Sequence, residues 1–224
     1  MDFIRARSDE QKSVRLKQIT DAAVELFESQ EYDKISLASI AKKLNFSRVN
    51  LYKYVSTKEE IYLTVTMNEL DAFFQDVLLS FKEIHSIGIE EFALQWSKIL
   101  YQHERLLKLC SILFSIIEKN VSVSCLAEFK RKLFVGIDSL YPLLIRIFPD
   151  LTAEQIFLFL DYQLHHIAGL YPSTVLNDTQ NEAIRLSGIP YEAKDFVTVF
   201  SSFLTTVLNG LHYSNKLLEG NELS

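Results

Sequence analysis

Apolar residues recur at three- and four-residue steps along most of this 224-residue chain, the spacing of helices that bury one face. Six Gly and four Pro are few for this length, which also favours long helices. We therefore expect an all-α protein. The predicted helices are Ser13–Ser29, two short helices within Ser36–Val55, Ile61–Ser80, Ile89–Glu104, Arg105–Asn120, Cys125–Phe148, Ala153–Leu170, a short helix near Gln180–Leu186 and Tyr191–Leu211.

The stretch Ser36–Val55, SLASIAKKLNFSRVNLYKYV, predicts two short helices joined by a tight turn. Ser36 and Ser47 stand where an N-cap hydroxyl would accept a hydrogen bond from a free backbone N–H. Asn45 suits the turn because asparagine tolerates positive φ. Ala41 is small where the two helices must cross closely. This layout predicts a helix-turn-helix, whose second helix enters a DNA groove.

The second helix is predicted over Arg48–Val55, with Leu51 and Val55 as its buried anchors. The other side chains of this helix then project outward. Arginine and asparagine can make bidentate contacts with guanine and adenine, and Lys, Tyr and Ser commonly contact phosphates. Ser56 or Thr57 would cap a third helix, whose N-terminus attracts phosphate.

The segments before the motif complete the predicted DNA-facing end. Helix Ser13–Ser29 would brace the two-helix unit through one apolar face. Met1–Lys17 carries five Lys and Arg residues and predicts a mobile basic arm. Such an arm can follow a DNA backbone or enter a minor groove.

The helix Ser13–Ser29 followed by SLASIAKKLNFSRVNLYKYVSTKEEIY resembles the N-terminal DNA-binding domain of the tetracycline-repressor (TetR) family. The run LYKYVSTKEE at Leu51–Glu60 is similar to that family's signature. Asn45 stands where glycine is usual, and Val49 stands where a small residue is common. The resemblance implies that Arg48 and Asn50 face bases or adjacent phosphates. It implies further DNA contacts from Ser36, Ser47, Tyr52, Lys53 and Lys58 to phosphates, and packing or backbone contact from Tyr54.

The charge is distributed unevenly along the chain. The formal net charge is −6, yet Met1–Lys58 carries 11 Lys and Arg against 8 Asp and Glu, a net +3 that leaves −9 for the rest. A basic segment attached to an acidic body is the pattern expected when one segment meets nucleic acid.

Cysteine use and hydropathy indicate the compartment. Cys110 and Cys125 are the only cysteines and lack a Cys-x-x-Cys motif, which favours two buried free thiols in a reducing compartment over a disulfide. The sequence contains no uninterrupted apolar run of about eighteen residues, and MDFIRARSDE lacks a signal-peptide pattern. We expect a cytoplasmic protein with no membrane partner.

The last two long helices are too apolar to bury only one side, so each needs the core and a second partner. We expect a two-fold homodimer in which this pair meets its copy as a four-helix bundle, as the resemblance also implies. The predicted interface residues are Phe157, Leu160, Leu164, Phe196, Phe200, Phe203 and Val207.

The middle of the chain is rich in aromatic residues, and the resemblance implies an effector pocket there. Small-ligand sites are mostly apolar with a few polar groups, although each of these aromatic residues could instead be plain core. The candidate effector residues are Trp96, Tyr101, Phe114, Tyr141, Tyr162 and His166. His165 and His166 point about 100° apart on a helix, so we expect no metal site and no cofactor.

The sequence predicts a regulator with a helix-turn-helix domain over 1–60 and a helical effector-binding and dimerisation domain over 61–215. We expect a ligand-responsive repressor that binds a palindromic operator as a homodimer and takes a small apolar or amphipathic effector. Two alternatives are open: a ligand-independent DNA-binding activator, and an all-helical carrier of apolar small molecules. An enzyme is not expected because no phosphate loop, nucleophile elbow or catalytic triad is present in the sequence.

Overall fold

The computed structural model describes residues 2–192 and 194–221, with side chains described for residues 10–192 and 194–214. Every regular element in these ranges is helical, which confirms the predicted all-α class. The helices are α1 (Asp2–Ser29), α2 (Leu37–Lys43), α3 (Arg48–Leu51), α4 (Lys58–Ser80), α5 (Ile89–Gln102), α6 (Glu104–Ile112), α7 (Val123–Ile147), α8 (Ala153–Thr174), α9 (Asp178–Ser187) and α10 (Phe196–Asn221). Short 3₁₀ turns cover Tyr32–Lys34 and Glu118–Asn120, and a π-helical turn covers Leu113–Ile117.

The chain divides into two compact units. The first unit comprises residues 1–68 and 113–131, and the second comprises residues 69–112 and 132–224. The first unit therefore includes the first turns of α4 and the connection between α6 and α7, in addition to the helix-turn-helix. The expected domain boundary at residue 60 stays a prediction.

The N-terminal helices differ in length from the predicted ones. Helix α1 already begins at Asp2, so the mobile arm predicted over Met1–Lys17 is wrong for the described residues, and Met1 lies outside them. The segment carries five Arg and Lys residues, which have good helix propensity. Helix α3 ends at Leu51, not at Val55, because the Tyr54 N–H bonds to the Leu51 carbonyl at 2.9 Å in a tighter turn.

The C-terminal boundaries also shift. Helix α8 continues to Thr174, beyond the predicted end at Leu170, and α9 begins at an Asn177–Gln180 capping box. Gly188, with φ of 65°, ends α9 in the left-handed region that glycine adopts at little cost. Helix α10 begins at Phe196, later than predicted, because Asp195 accepts a hydrogen bond from the Thr198 N–H at 2.7 Å.

An aromatic cluster forms the core of the second unit. Trp96 is fully buried, and its ring centroid lies 5.6 Å from Phe73, 5.4 Å from Phe92 and 5.9 Å from Phe159. Helix α10 packs on α5 and α8 and adds Phe196 and Phe200 to this core. Burial of such rings dominates core energetics.

Candidate DNA-binding surface

The turn between α2 and α3 is closed by a Schellman motif. The Phe46 N–H bonds to the Ala41 carbonyl at 2.8 Å, and the Asn45 N–H bonds to the Lys42 carbonyl at 3.1 Å. Asn45 has φ of 54° and is the single non-glycine residue with positive φ in the described chain. The sequence expectation for Asn45 is confirmed, because this motif requires a left-handed residue after the helix.

Ser36 and Ser47 cap the two helices as predicted. The Ser36 hydroxyl accepts from the Ser39 N–H at 3.2 Å, and the Ser39 hydroxyl accepts from the Ser36 N–H at 3.0 Å. The Ser47 hydroxyl accepts from the Asn50 N–H at 3.2 Å. Both capping serines are exposed. The Ser47 hydroxyl hydrogen remains available to a phosphate oxygen, whereas the Ser36 hydroxyl donates to the Ser39 hydroxyl at 3.5 Å.

Helix α3 and the turn that follows it, over residues 48–54, have one buried side and one exposed side. Leu51 is 1% exposed and anchors the helix against the core of the first unit. Val49 is 73% exposed and Tyr52 is 57% exposed, and Arg48 and Lys53 are exposed as well. Such exposure of two large side chains beside two cations is what a groove-reading helix needs, since base edges are read by side chains that project from it. Asn50 and Tyr54 are half-buried at the edge of this face.

Helix α1 braces the two-helix unit with contacts between side chains. The Arg15 guanidinium lies 5.4 Å from the centroid of the Phe46 ring. Lys43 pairs with Glu25 at 2.5 Å. Ile19 and Ala23 of α1 are buried. These contacts fix the helix-turn-helix on α1, as the sequence predicted for a bracing helix.

Lys58 holds the start of α4 to the preceding chain. Its ammonium donates to the Tyr32 and Ile35 carbonyls at 2.9 Å each and lies 4.0 Å from the centroid of the Tyr32 ring. The Tyr32 hydroxyl donates to Glu59 at 3.1 Å. Burial, together with the charge of Glu59, raises the pKa of Tyr32 far above its usual value. The sequence did not predict this structural role of Lys58. The bonds to the two carbonyls do not test the predicted phosphate contact of Lys58, which stays a prediction.

The other residues of the Lys-Glu-Glu run also make local bonds. Thr57 caps α4, since its hydroxyl accepts from the Glu60 N–H at 3.2 Å. The Glu60 carboxylate accepts from the Ser56 N–H at 2.8 Å and from the Ser122 hydroxyl at 3.1 Å. The Thr57 hydroxyl donates to the Asn120 carbonyl at 3.1 Å. The connection between α6 and α7 is thereby bonded to the first turn of α4 within the first unit.

These features define a helix-turn-helix of the kind found in bacterial regulators. Residues 19–65 match the family model described as bacterial regulatory proteins, tetR family. Residues 67–215 match the model described as tetracyclin repressor-like, C-terminal domain. The chain belongs to the tetR family of bacterial regulatory proteins.

A curated relative agrees with this assignment. The chain is 33% identical over 92 residues to the biofilm operon icaADBC HTH-type negative transcriptional regulator IcaR of Staphylococcus epidermidis, a match that covers 41% of this chain and 49% of that protein. The chain thus spans about half the length of this curated relative.

Two solved structures share the fold. The fatty acid degradation regulator FadR from Bacillus halodurans has a TM-score of 0.55 and 15% identity, over 88% of this chain and 95% of that chain. A TetR transcriptional regulator from Rhodococcus sp. RHA1 has a TM-score of 0.52 and 12% identity, over 91% of this chain and 97% of that chain. At these identities the likeness concerns the fold alone.

The six candidate effector residues occupy different surroundings. Phe114 lies in the first unit and the other five lie in the second. Trp96 is buried, and its indole N–H has no hydrogen-bond partner. His166 stacks 3.8 Å from Phe203, and burial lowers its pKa. Tyr101, Tyr141 and Tyr162 are 37–49% exposed. An effector site made of these six residues stays a prediction.

The predicted interface residues separate into two stripes. Phe196 and Phe200 are 2% and 0% exposed, so their assignment to a dimer interface is wrong: they are covered by their own chain. Leu204 and Leu208 follow at four-residue steps on the same side of α10 and are also buried. The other five predicted residues retain exposed surface and remain candidates; they are Phe157, Leu160, Leu164, Phe203 and Val207.

The remaining chemistry of the described chain is limited. Cys110 is a buried free thiol whose pKa burial raises to about 12, and Cys125 is a half-buried free thiol. Among the described residues, no cluster of three or more His, Cys, Asp or Glu could hold a metal ion. No helix in that part of the chain is long and apolar enough to span a membrane.

Proposed function

We propose that this chain is a sequence-specific DNA-binding transcriptional regulator that reads an operator with α3. The observation that carries the proposal is the exposed face of α3 and the turn after it, where Arg48 and Lys53 stand beside exposed Val49 and Tyr52 while Leu51 is buried beneath them. Val49 and Tyr52 are thus free to project into a groove beside two cations.

Each polar residue of this surface has a proposed role. Arg48 and Asn50 read base edges, because their side chains can form paired hydrogen bonds with guanine and adenine. Ser36, Ser47, Tyr52, Lys53 and Tyr54 hold or approach phosphates and set the register of α3 in the groove. The third N–H of the Lys58 ammonium, beyond the two bonded to carbonyls, remains for a phosphate.

The proposed assembly is a two-fold homodimer formed by α8 and α10. On α8, Phe157, Leu160 and Leu164 repeat at helical spacing and retain exposed surface. On α10, Phe203 and Val207 do the same. These residues point to a different side of each helix from the residues that are buried in the chain's own core. A second apolar partner would therefore cover them. Two reading helices would then meet half-sites one helical turn or more apart on a near-palindrome.

The proposed regulation is repression relieved by a small apolar or amphipathic effector, in the cytoplasm. The relative IcaR is named a negative transcriptional regulator, which supports repression. Helix α4 runs without interruption from the first unit into the second, so an effector that displaces it would change DNA affinity. Such coupling is reciprocal, and bound operator must weaken effector binding by the same factor.

The experiment that tests the proposal is selection of bound DNA from a random pool, with affinity then measured against salt concentration. Recovery of a near-palindrome with two half-sites supports the proposal. Binding that depends on salt and ignores sequence would contradict base reading by Arg48 and Asn50. No binding at low salt would remove DNA from the function altogether and favour the carrier alternative.

A further inference from the structure

Two helix faces in the second unit form an open groove. Gln75, Leu78, Leu79 and Lys82 line one wall, and Ser139, Pro142, Leu143 and Arg146 line the other. Gln75, Leu78 and Leu79 lie on one face of α4, and Lys82 follows in the turn after that helix ends at Ser80. The other four residues have the spacing i, i+3, i+4, i+7 and form a single face of α7. The groove has a volume of about 410 Å³, within the range of small-molecule sites.

The two walls run in the same direction. A Cβ on Gly136 would lie 2.5 Å from the Phe74 ring, so α7 approaches α4 closely before the groove begins. At the other end, Arg146 donates from Nη2 to the Phe81 carbonyl at 2.7 Å. Residue 136 therefore pairs with 74 and residue 146 with 81. Because of this parallel arrangement, the polar residues Gln75 and Ser139 share one end of the groove and the cations Lys82 and Arg146 share the other.

Two cations, Lys82 and Arg146, line this end of the groove. The Arg146 Nε is buried without a hydrogen-bond partner, whereas its Nη2 is fixed by the Phe81 carbonyl. Lys82 is 72% exposed and pairs with exposed Glu83 at 3.7 Å, a surface ion pair that contributes little. None of the eight lining residues is acidic. A guanidinium held in this way is suited to a carboxylate or another oxyanion.

The middle of the groove is apolar. Leu79 is 72% exposed, which leaves a large side chain in water on the wall of a concave surface. Leu78 is half-buried beside it, and Pro142 and Leu143 form the facing wall. Gln75 and Lys82 lie seven residues apart, a distance of about 10 Å at the rise of a helix, so the groove from its polar end to its cationic end has the length of a short hydrocarbon body.

We propose that this groove between α4 and α7 binds a small anionic amphiphile. Its apolar body lies over Leu78, Leu79 and Leu143, and its anionic head lies at Lys82 and Arg146. Charge complementarity selects this ligand class over a cation or an uncharged alcohol. Binding is a property of the second unit, so it stands or falls independently of the proposed DNA binding.

The test uses the full-length protein and isothermal titration with three probes that share a chain and differ in head: octanoate, 1-octanol and octyltrimethylammonium. We expect one octanoate per chain, with 1-octanol at least about fivefold weaker because it lacks the charge that Lys82 and Arg146 would meet. The cation should bind most weakly. Equal binding of all three probes, or no octanoate binding, would overturn the proposal.

Variants locate the site. Lys82→Gln and Leu79→Asn change exposed side chains, so both should fold. We expect Lys82→Gln to weaken octanoate by about fivefold and to leave 1-octanol unchanged, whereas Leu79→Asn should weaken both. Lys98→Gln, which removes an exposed lysine from α5, is the matched control and should bind octanoate like the unmodified chain. Equal losses in Lys82→Gln and Lys98→Gln would show general charge attraction and refute a site in the groove.

Discussion

Replacement of Lys58 by Met separates structural support from phosphate contact. The thioether side chain keeps most of the aliphatic stem and loses the ammonium. It thereby removes the bonds to the Tyr32 and Ile35 carbonyls and the contact with the Tyr32 ring. If these contacts hold the start of α4 in place, the first unit should lose stability even without DNA.

The size of the effect follows from these contacts. A hydrogen bond to a charged group contributes about 1.5–3 kcal/mol and a cation–π contact about 0.5–1 kcal/mol at an exposed site. Lys58 is only partly buried, so water can replace part of what is lost. We therefore expect a loss of about 2 kcal/mol in the free energy of opening of the first unit, not the full sum.

The assay must report on the first unit. Trp96 is the only tryptophan and lies in the second unit, so its fluorescence would not follow this change. Hydrogen exchange of the Lys34 and Ile35 amides would report the change, because both amides are hydrogen-bonded within the turn that Lys58 holds. A loss of about 2 kcal/mol would speed their exchange by about 30-fold when reclosing is faster than exchange, because the opening equilibrium then sets the rate.

Lys53→Met is the matched control, since Lys53 is exposed on the surface proposed to contact DNA. We expect it to leave exchange unchanged and to reduce the salt slope of DNA binding by about one. Unchanged exchange in Lys58→Met, combined with the same reduction in salt slope, would refute the structural role and leave Lys58 as a phosphate contact only.

Three further predictions follow from the same structure. Arg48→Ala should cost about 1–3 kcal/mol on the selected operator and relax its sequence preference; equal losses on all sequences, measured by competition binding, would contradict base reading. Gly136→Ala should destabilise the second unit by about 1 kcal/mol in urea unfolding followed by Trp96 fluorescence, because the Phe74 ring must move, although alanine recovers part of this in helix propensity; a more stable variant would show that the ring moves freely. Phe203→Glu should shift sedimentation from dimer to monomer with the helical circular dichroism retained, whereas an intact dimer would exclude this residue from the interface.

The sequence by itself determined the local structure of the helix-turn-helix and of the start of α4. The capping bonds of Ser36, Ser47 and Thr57 and the left-handed turn at Asn45 involve residues at most a few positions away, so these roles could be predicted from spacing. The family resemblance likewise rests on a contiguous run. The helical class followed from periodicity, which is also a local property.

Only the tertiary structure decided which face of each helix is covered. Phe200 and Phe203 are both apolar and three residues apart, and the packing of α10 on α5 and α8 buries the first and leaves surface on the second. Lys58 bonds to carbonyls more than twenty positions away, and Arg146 bonds to a carbonyl 65 positions away. Contacts of this range depend on how helices are brought together, which the spacing within one helix does not encode.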